Sequence, residues 1–213
     1  MKTALFTRGR DRLQVRADEQ KVRTIAGYGA VFYREGDPGT EYQLWDDMVE
    51  RIMPGAFDRA LREDDVRSLF NHDPNFVLGR NTAQTLRLSI DAVGLRYEVD
   101  PPASRADVCD SVERGDVDGS SFMFEILEVV WREVEKLYIR EIHQVKLWEV
   151  GPVVFPAYES STAGLRNDYA QKIREERSAR AKAPASSQLP PERVRAAQAR
   201  ARLVALRERH RDL

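Results

Sequence analysis

Over residues 22–32 every second position points the same way: Val22, Thr24, Ala26, Tyr28, Ala30 and Phe32 share one side, and Gly27 and Gly29 interrupt the other. That is the period of a strand, and the two glycines predict a bulge or the close approach of another backbone. Residues 85–91 and 95–100 alternate again on either side of Ala92-Val93-Gly94, which marks a hairpin. Two longer apolar runs, 121–131 and 137–150, flank the charged stretch Arg132-Glu133-Val134-Glu135-Lys136 and predict a second hairpin. A short strand at 66–70 leads into Asn71-His72-Asp73-Pro74, a turn because Pro74 disfavours helix at Asp73.

Helical spacing is sparse by comparison. Phe57, Ala60 and Leu61 share a face in a short helix that begins near Pro54. Ser104 can cap a second helix running to about Arg114, with Val108 and Val112 inside and Gly115 as its stop. Residues 34–46 are rich in turn formers and acids and read as a loop. Residues 1–20 read as an irregular start or an edge strand, and residues 152–156 close the body. Strands and helices do not alternate regularly, which argues against a doubly wound parallel sheet. The expectation is a mostly β, α+β body: a barrel or sandwich with flanking helices.

After about Ala163 the pattern changes. Residues 167–183 suit a charged helix, 184–191 form a Pro/Ser linker, and 192–209 hold strong helix formers with only a thin aliphatic stripe. We expect one domain over 1–165 and a basic, helical or disordered tail over 166–213. Charge divides at the same place: 166–213 carry 13 Lys and Arg against 6 Asp and Glu, while 1–165 carry 21 against 29, for a net charge of −1. The tail has a single aromatic, Tyr169, on which a base could stack, so a solvated charged helix is preferred to a nucleic-acid contact. The lone cysteine, Cys109, forbids an internal disulfide and fits a reducing compartment. No apolar run approaches the roughly 20 residues of a membrane span, and residues 1–8 lack the apolar core of a signal peptide. Location in the cytoplasm and no membrane partner are therefore expected.

Candidate chemistry lies in three short stretches. Asp116-Val117-Asp118-Gly119 hands Ser120 and Ser121 to the mouth of a strand. His72 sits in a turn just after a strand, where an imidazole can face a cleft. Glu149 shares strand parity with Ile139, Val145 and Leu147, so it faces an apolar side and needs a partner. Hydroxyl, imidazole and carboxylate are the set a serine hydrolase requires. Each also has a bland reading: a turn serine, a surface histidine beside Asp73, a glutamate paired with an arginine. Glu141 and His143 share Glu149's parity and are alternative third members. Met123 stands where a nucleophile elbow would have its second glycine, there is no phosphate-binding glycine loop, and the scattered histidines suit no zinc site. Neither metal nor cofactor is expected.

Taken in order, Gly27-Tyr28-Gly29-Ala30-Val31-Phe32, Asn71-His72-Asp73-Pro74, Val77-Leu78-Gly79-Arg80, Leu86-Arg87-Leu88, Asp91, Gly94-Leu95, Ser121-Phe122-Met123-Phe124 and the run from Leu147-Trp148-Glu149 to Pro156-Ala157 resemble the prohead serine proteases of tailed bacteriophages, over roughly 20–165. The resemblance implies a β-barrel with surrounding helices like that of the herpesvirus assemblins. It implies a protease, packaged in the procapsid within the host bacterial cytoplasm, that cuts the scaffold segment from the major capsid protein, and itself. It places the family's histidine on His72, its serine on Ser121 and its acid on Glu149, with His143 as the assemblin-like alternative. Arg80 and Ser120 are the candidate oxyanion or substrate contacts. Self-processing makes a homo-oligomer a possible partner state. The chain departs from the family pattern at Met123, where glycine usually follows Ser-Phe, and at Gly151, where serine often follows Glu-Val.

Overall fold

A computed structural model describes residues 3–7, 13–17 and 23–155, with 175, 176 and 178 in a helical turn. The expected tail elements, 167–183 apart from those three residues, the linker and 192–209, lie outside the described residues, as does the boundary at 165.

Two sheets form the body. The first has seven strands: β1 (Thr3–Thr7), β4 (Tyr42–Trp45), β5 (Met48–Ile52), β6 (Arg67–Leu69), β7 (Val77–Arg80), β10 (Gly119–Val134) and β11 (Leu137–Val153). Their main path runs β1-β10-β11-β5-β4, and β6 pairs with both β11 and β7. The second sheet has four strands in the order β2-β3-β9-β8, with β2 at Gln14–Ala17, β3 at Arg23–Val31, β8 at Leu86–Ile90 and β9 at Gly94–Val99. Two helices, α1 (Asp58–Glu63) and α2 (Ala106–Arg114), flank them. The expected α+β class holds, and among the described residues the strand pairings do not close into a ring. Most pairs are antiparallel, but β5 and β6 run parallel to β11.

The two sheets meet at an apolar interface. Ile25, Leu95, Tyr97, Phe122, Phe124, Leu147 and Val150 are all buried there or nearby. Phe122 stacks on Phe124 and meets Phe57 of the α1 approach edge-on, at centroid distances of 4.9 and 5.8 Å. Each such ring is worth about 2–3 kcal/mol in removed apolar surface. Gly29 admits the other sheet: a Cβ there would lie 2.3 Å from Val150 Cγ2. The β3–β9 register shifts between Tyr28 and Ala30, the bulge the glycines predicted.

Some elements differ from expectation. Residues 42–45, expected in a loop, form β4, because Tyr42 buries against the core and its strand adds to β5. The β10–β11 hairpin is longer than expected, and its turn is only Glu135-Lys136, both left-handed with φ of 50° and 72°. Tight two-residue turns need that handedness, usually from Asn-Gly; here the long ladder imposes it on ordinary residues.

Beside that turn, Arg140 and Glu50 face each other across β11 and β5 and form a buried ion pair. Glu176 adds a second carboxylate to the same guanidinium at 2.8 Å.

Candidate active site

Alternation along β10 separates two adjacent serines. Ser120, Phe122 and Phe124 face the second sheet, and Ser120 Oγ lies 3.0 Å from the Tyr97 hydroxyl of β9. Ser121 faces the other way. In the β10–β11 register it sits opposite Gly151, and Met123 sits opposite Glu149. Cross-strand partners share a face, so Ser121 and Glu149 are displayed side by side from two neighbouring strands.

The third group arrives from outside this hairpin. β6 touches β11 through one bridged pair, Arg67 with Glu149. Its backbone then climbs over the face of β11 at Gly151: a Cβ on that glycine would stand 2.2 Å from the Leu69 carbonyl oxygen. Only glycine leaves space for this crossing. The chain emerges as the turn Asn71-His72, with both residues left-handed at φ 54° and 59°. For residues other than glycine that conformation costs about 1 kcal/mol or more each. Several bonds hold it. Asn71 N donates to Pro152 O at 3.1 Å, Val154 N donates to Asn71 Oδ1 at 2.8 Å, and Asp73 N donates to Phe70 O at 3.0 Å. Asp73 Oδ1 in turn accepts from Asn75 N at 2.8 Å.

This turn drops the imidazole between the other two groups. Ser121 Oγ lies 2.6 Å from His72 Nε2, and His72 Nδ1 lies 2.5 Å from Glu149 Oε2. The order is hydroxyl, imidazole, carboxylate. A neutral imidazole with its proton on Nδ1, held by the carboxylate, presents a free Nε2 lone pair to the serine. Ser121 is fully buried and Glu149 nearly so, while the His72 side chain is 16% exposed. Burial raises the Glu149 pKa above the usual carboxylate range, and the His72 hydrogen bond opposes that rise.

The remaining candidates stand elsewhere. Ser120 is engaged by Tyr97 on the opposite side of β10 from Ser121. Arg80, in β7, is held bidentately by Asp65, with Nε and Nη2 at 2.7 and 2.5 Å, which pulls the Asp65 pKa down to about 2. That engagement argues against a guanidinium poised for an oxyanion. His143 lies six residues before Glu149 on β11, about 20 Å away at strand rise, with Nε2 3.4 Å from Glu141. Glu141 is also paired with Arg132 at 2.7 Å. Asn71 and Gly151, which place the histidine, went unassigned by sequence reasoning. The signal available was the glycine between two bulky runs and an asparagine, a residue tolerant of left-handed backbone, just before the histidine. Among the described residues no cluster of His, Cys, Asp and Glu is arranged to hold a metal, and no helix is long and apolar enough to cross a membrane.

A buried serine on a strand, an imidazole against it and a carboxylate behind describe a serine hydrolase relay. The chain belongs to a family of that class: the model of the caudovirus prohead serine proteases matches residues 11–175, and the protein is a serine endopeptidase of the kind that matures phage capsids. No curated protein and no solved structure matches it, so the assemblin likeness rests on the sequence resemblance alone.

Proposed function

We propose that this endopeptidase acts inside the procapsid, cutting the scaffold segment from the major capsid protein and cutting itself. The observation that carries the proposal is the line from Ser121 Oγ through His72 to Glu149 Oε2, with links of 2.6 and 2.5 Å. Ser121 attacks the scissile carbonyl as its proton passes to His72 Nε2. The imidazolium, steadied by Glu149, returns that proton to the leaving amine, and water repeats the cycle on the acyl-enzyme. The separate roles of the two serines follow from strand alternation: Ser121 is the nucleophile, and Ser120 ties β10 to β9. Oxyanion donors are then backbone amides at the start of β10 rather than Arg80. Residues 1–165 are the catalytic domain. The basic tail over 166–213 docks it to scaffold or to other copies, a role supported by the charge division at 165.

Co-expression with the cognate major capsid protein, wild type against Ser121→Ala, followed by intact-mass measurement of both chains, tests the proposal. A segment lost only with the wild-type enzyme supports it. Cleavage that survives in Ser121→Ala assigns the nucleophile elsewhere. Particles formed without cleavage by either enzyme favour a structural assembly role. Removing residues 184–213 is expected to lower the copy number packaged per particle, and unchanged packaging would refute the docking role.

A further inference from the structure

Glu149 uses one of its two oxygens in the relay. Oε2 meets His72, while Oε1 is buried with no hydrogen-bond partner among the described residues. A buried carboxylate oxygen without a donor is costly and is seldom left so. One other side-chain oxygen close to the relay shares that condition: Ser68 Oγ in β6, on a residue with no exposed surface.

The two atoms converge on one patch. A Cβ on Gly151 would lie 3.0 Å from Ser68 Oγ, so that hydroxyl sits on the face of β11 that displays Ser121 and Glu149. Glu149 is two residues away on the same face, about 7 Å along the strand, and its carboxylate leans toward His72, which follows Ser68 in the same crossing segment. Ser68 itself directly follows Arg67, the residue bridged to Glu149. Ser68 Oγ and Glu149 Oε1 make no direct hydrogen bond to each other, so a link between them passes through an intervening molecule. A buried water joining two otherwise unsatisfied groups is the ordinary solution.

We propose that Ser68 is a positioning residue for the relay: its hydroxyl donates to one buried water, which donates to Glu149 Oε1. The inference rests on the Ser121–His72–Glu149 reading. It gives the carboxylate a second donor, which favours its ionised form and fixes its plane so that Oε2 stays on Nδ1. The other ionisable groups around Glu149 do not fill that role. His72 is on Oε2, Arg67 is turned to Asp65 at 3.1 Å, and the Tyr97 hydroxyl of the second sheet is paired with Ser120 Oγ. Met123, opposite on β10, carries no charge.

The test is the pH dependence of Ser121 acylation by a small fluorophosphonate, followed by intact mass, which needs no capsid substrate. For Ser68→Ala the acid limb is expected to move up by about one pH unit and the plateau rate to fall about tenfold, because a carboxylate with one donor fewer takes its proton at higher pH. The melting temperature should fall as well. Ser68→Cys, nearly isosteric and a weak donor, should move the limb in the same direction and serves if the alanine variant does not fold. An unmoved limb in either variant, or a raised melting temperature in Ser68→Ala, overturns the proposal, since removing a truly orphaned hydroxyl relieves a penalty. Failure to cut capsid protein leaves this readout intact. A Ser121 unreactive at every pH would overturn both this inference and the relay beneath it.

Discussion

Placing a methyl group on Gly151 should disarm the protease without unfolding it. In Gly151→Ala the new Cβ would meet the Leu69 carbonyl oxygen at 2.2 Å, Ser68 Oγ at 3.0 Å and Leu69 N at 3.1 Å. The closest of these is backbone and cannot rotate away. Contacts under 3.0 Å are not sustained, so the Leu69 segment must retreat by about 0.8 Å. His72 is three residues further along that segment, and its bond to Ser121 is 2.6 Å. Carried through, the retreat opens the bond to about 3.4 Å, beyond effective O–H···N geometry. A misplacement near 1 Å costs about 10²-fold in rate, and overpacking of this kind costs about 1–3 kcal/mol of stability. The fitting control is Gly94→Ala, whose Cβ would meet the Ala30 carbonyl oxygen at 2.0 Å in the other sheet. Both variants should melt lower than wild type. At a temperature where both are folded, only Gly151→Ala should lose fluorophosphonate reactivity at Ser121. If Gly151→Ala reacts within about threefold of wild type, under 1 kcal/mol of barrier, or if Gly94→Ala loses as much, the crossing at Gly151 does not set the histidine's position.

Other outcomes follow from the same geometry. Asn71→Ala loses the Val154 contact and the tolerance for left-handed backbone, about 2 kcal/mol together, and should cut kcat at least tenfold with KM little changed; Asn71→Asp, which keeps both, should stay near wild type in steady-state assays. Because burial raises the Glu149 pKa and catalysis needs the carboxylate, activity should be present above that value and vanish as pH falls through it, at a higher pH than for an exposed glutamate; a rate profile showing full activity down to pH about 4.5 would contradict this. Tyr97→Phe strands the Ser120 hydroxyl and Ser120→Ala strands the tyrosine's, each costing about 1–2 kcal/mol, while the double variant should recover much of the loss in a denaturation cycle, with Ser121 reactivity unchanged throughout. Arg80→Ala should leave the acylation rate within about threefold, since its guanidinium is occupied by Asp65.

The chain's pattern disclosed the fold where period and burial agree. The 121–131 and 137–150 runs, and the Gly27/Gly29 interruption, each correspond to a ladder or a bulge now seen. It concealed what tertiary partners impose. Residues 42–45 become a strand only because β5 lies beside them, and Glu135-Lys136 turn left-handed only because a long hairpin closes over them. The same division runs through the site. Parity grouped Glu149 with Val145 and Leu147, but the register shift between Leu147 and Glu149 turns the glutamate to the opposite face, beside Ser121; the turn at 71–74 put His72 where an imidazole is useful. Alternation sets Ser120 and Ser121 on opposite faces but could not say which face carries the relay, or reveal that Arg80 would be claimed by Asp65, fifteen positions away. Those depend on which sheet lies against which face.

Two members of the proposed relay come from one hairpin, while His72 is delivered by a separate strand pair anchored to that hairpin's far end through Asn71 N and Pro152 O. His72 is 49 positions from Ser121 and 77 from Glu149, so the relay forms only when non-local pairing is complete. During synthesis the histidine leaves the ribosome before the serine, yet it has no perch until residues 149–154 follow. With Ser121 as the proposed nucleophile, a nascent or half-folded copy carries an ordinary, inert serine. On that reading the architecture delays the hydrolytic power of the chain until its folding is nearly finished, a useful postponement for a serine endopeptidase.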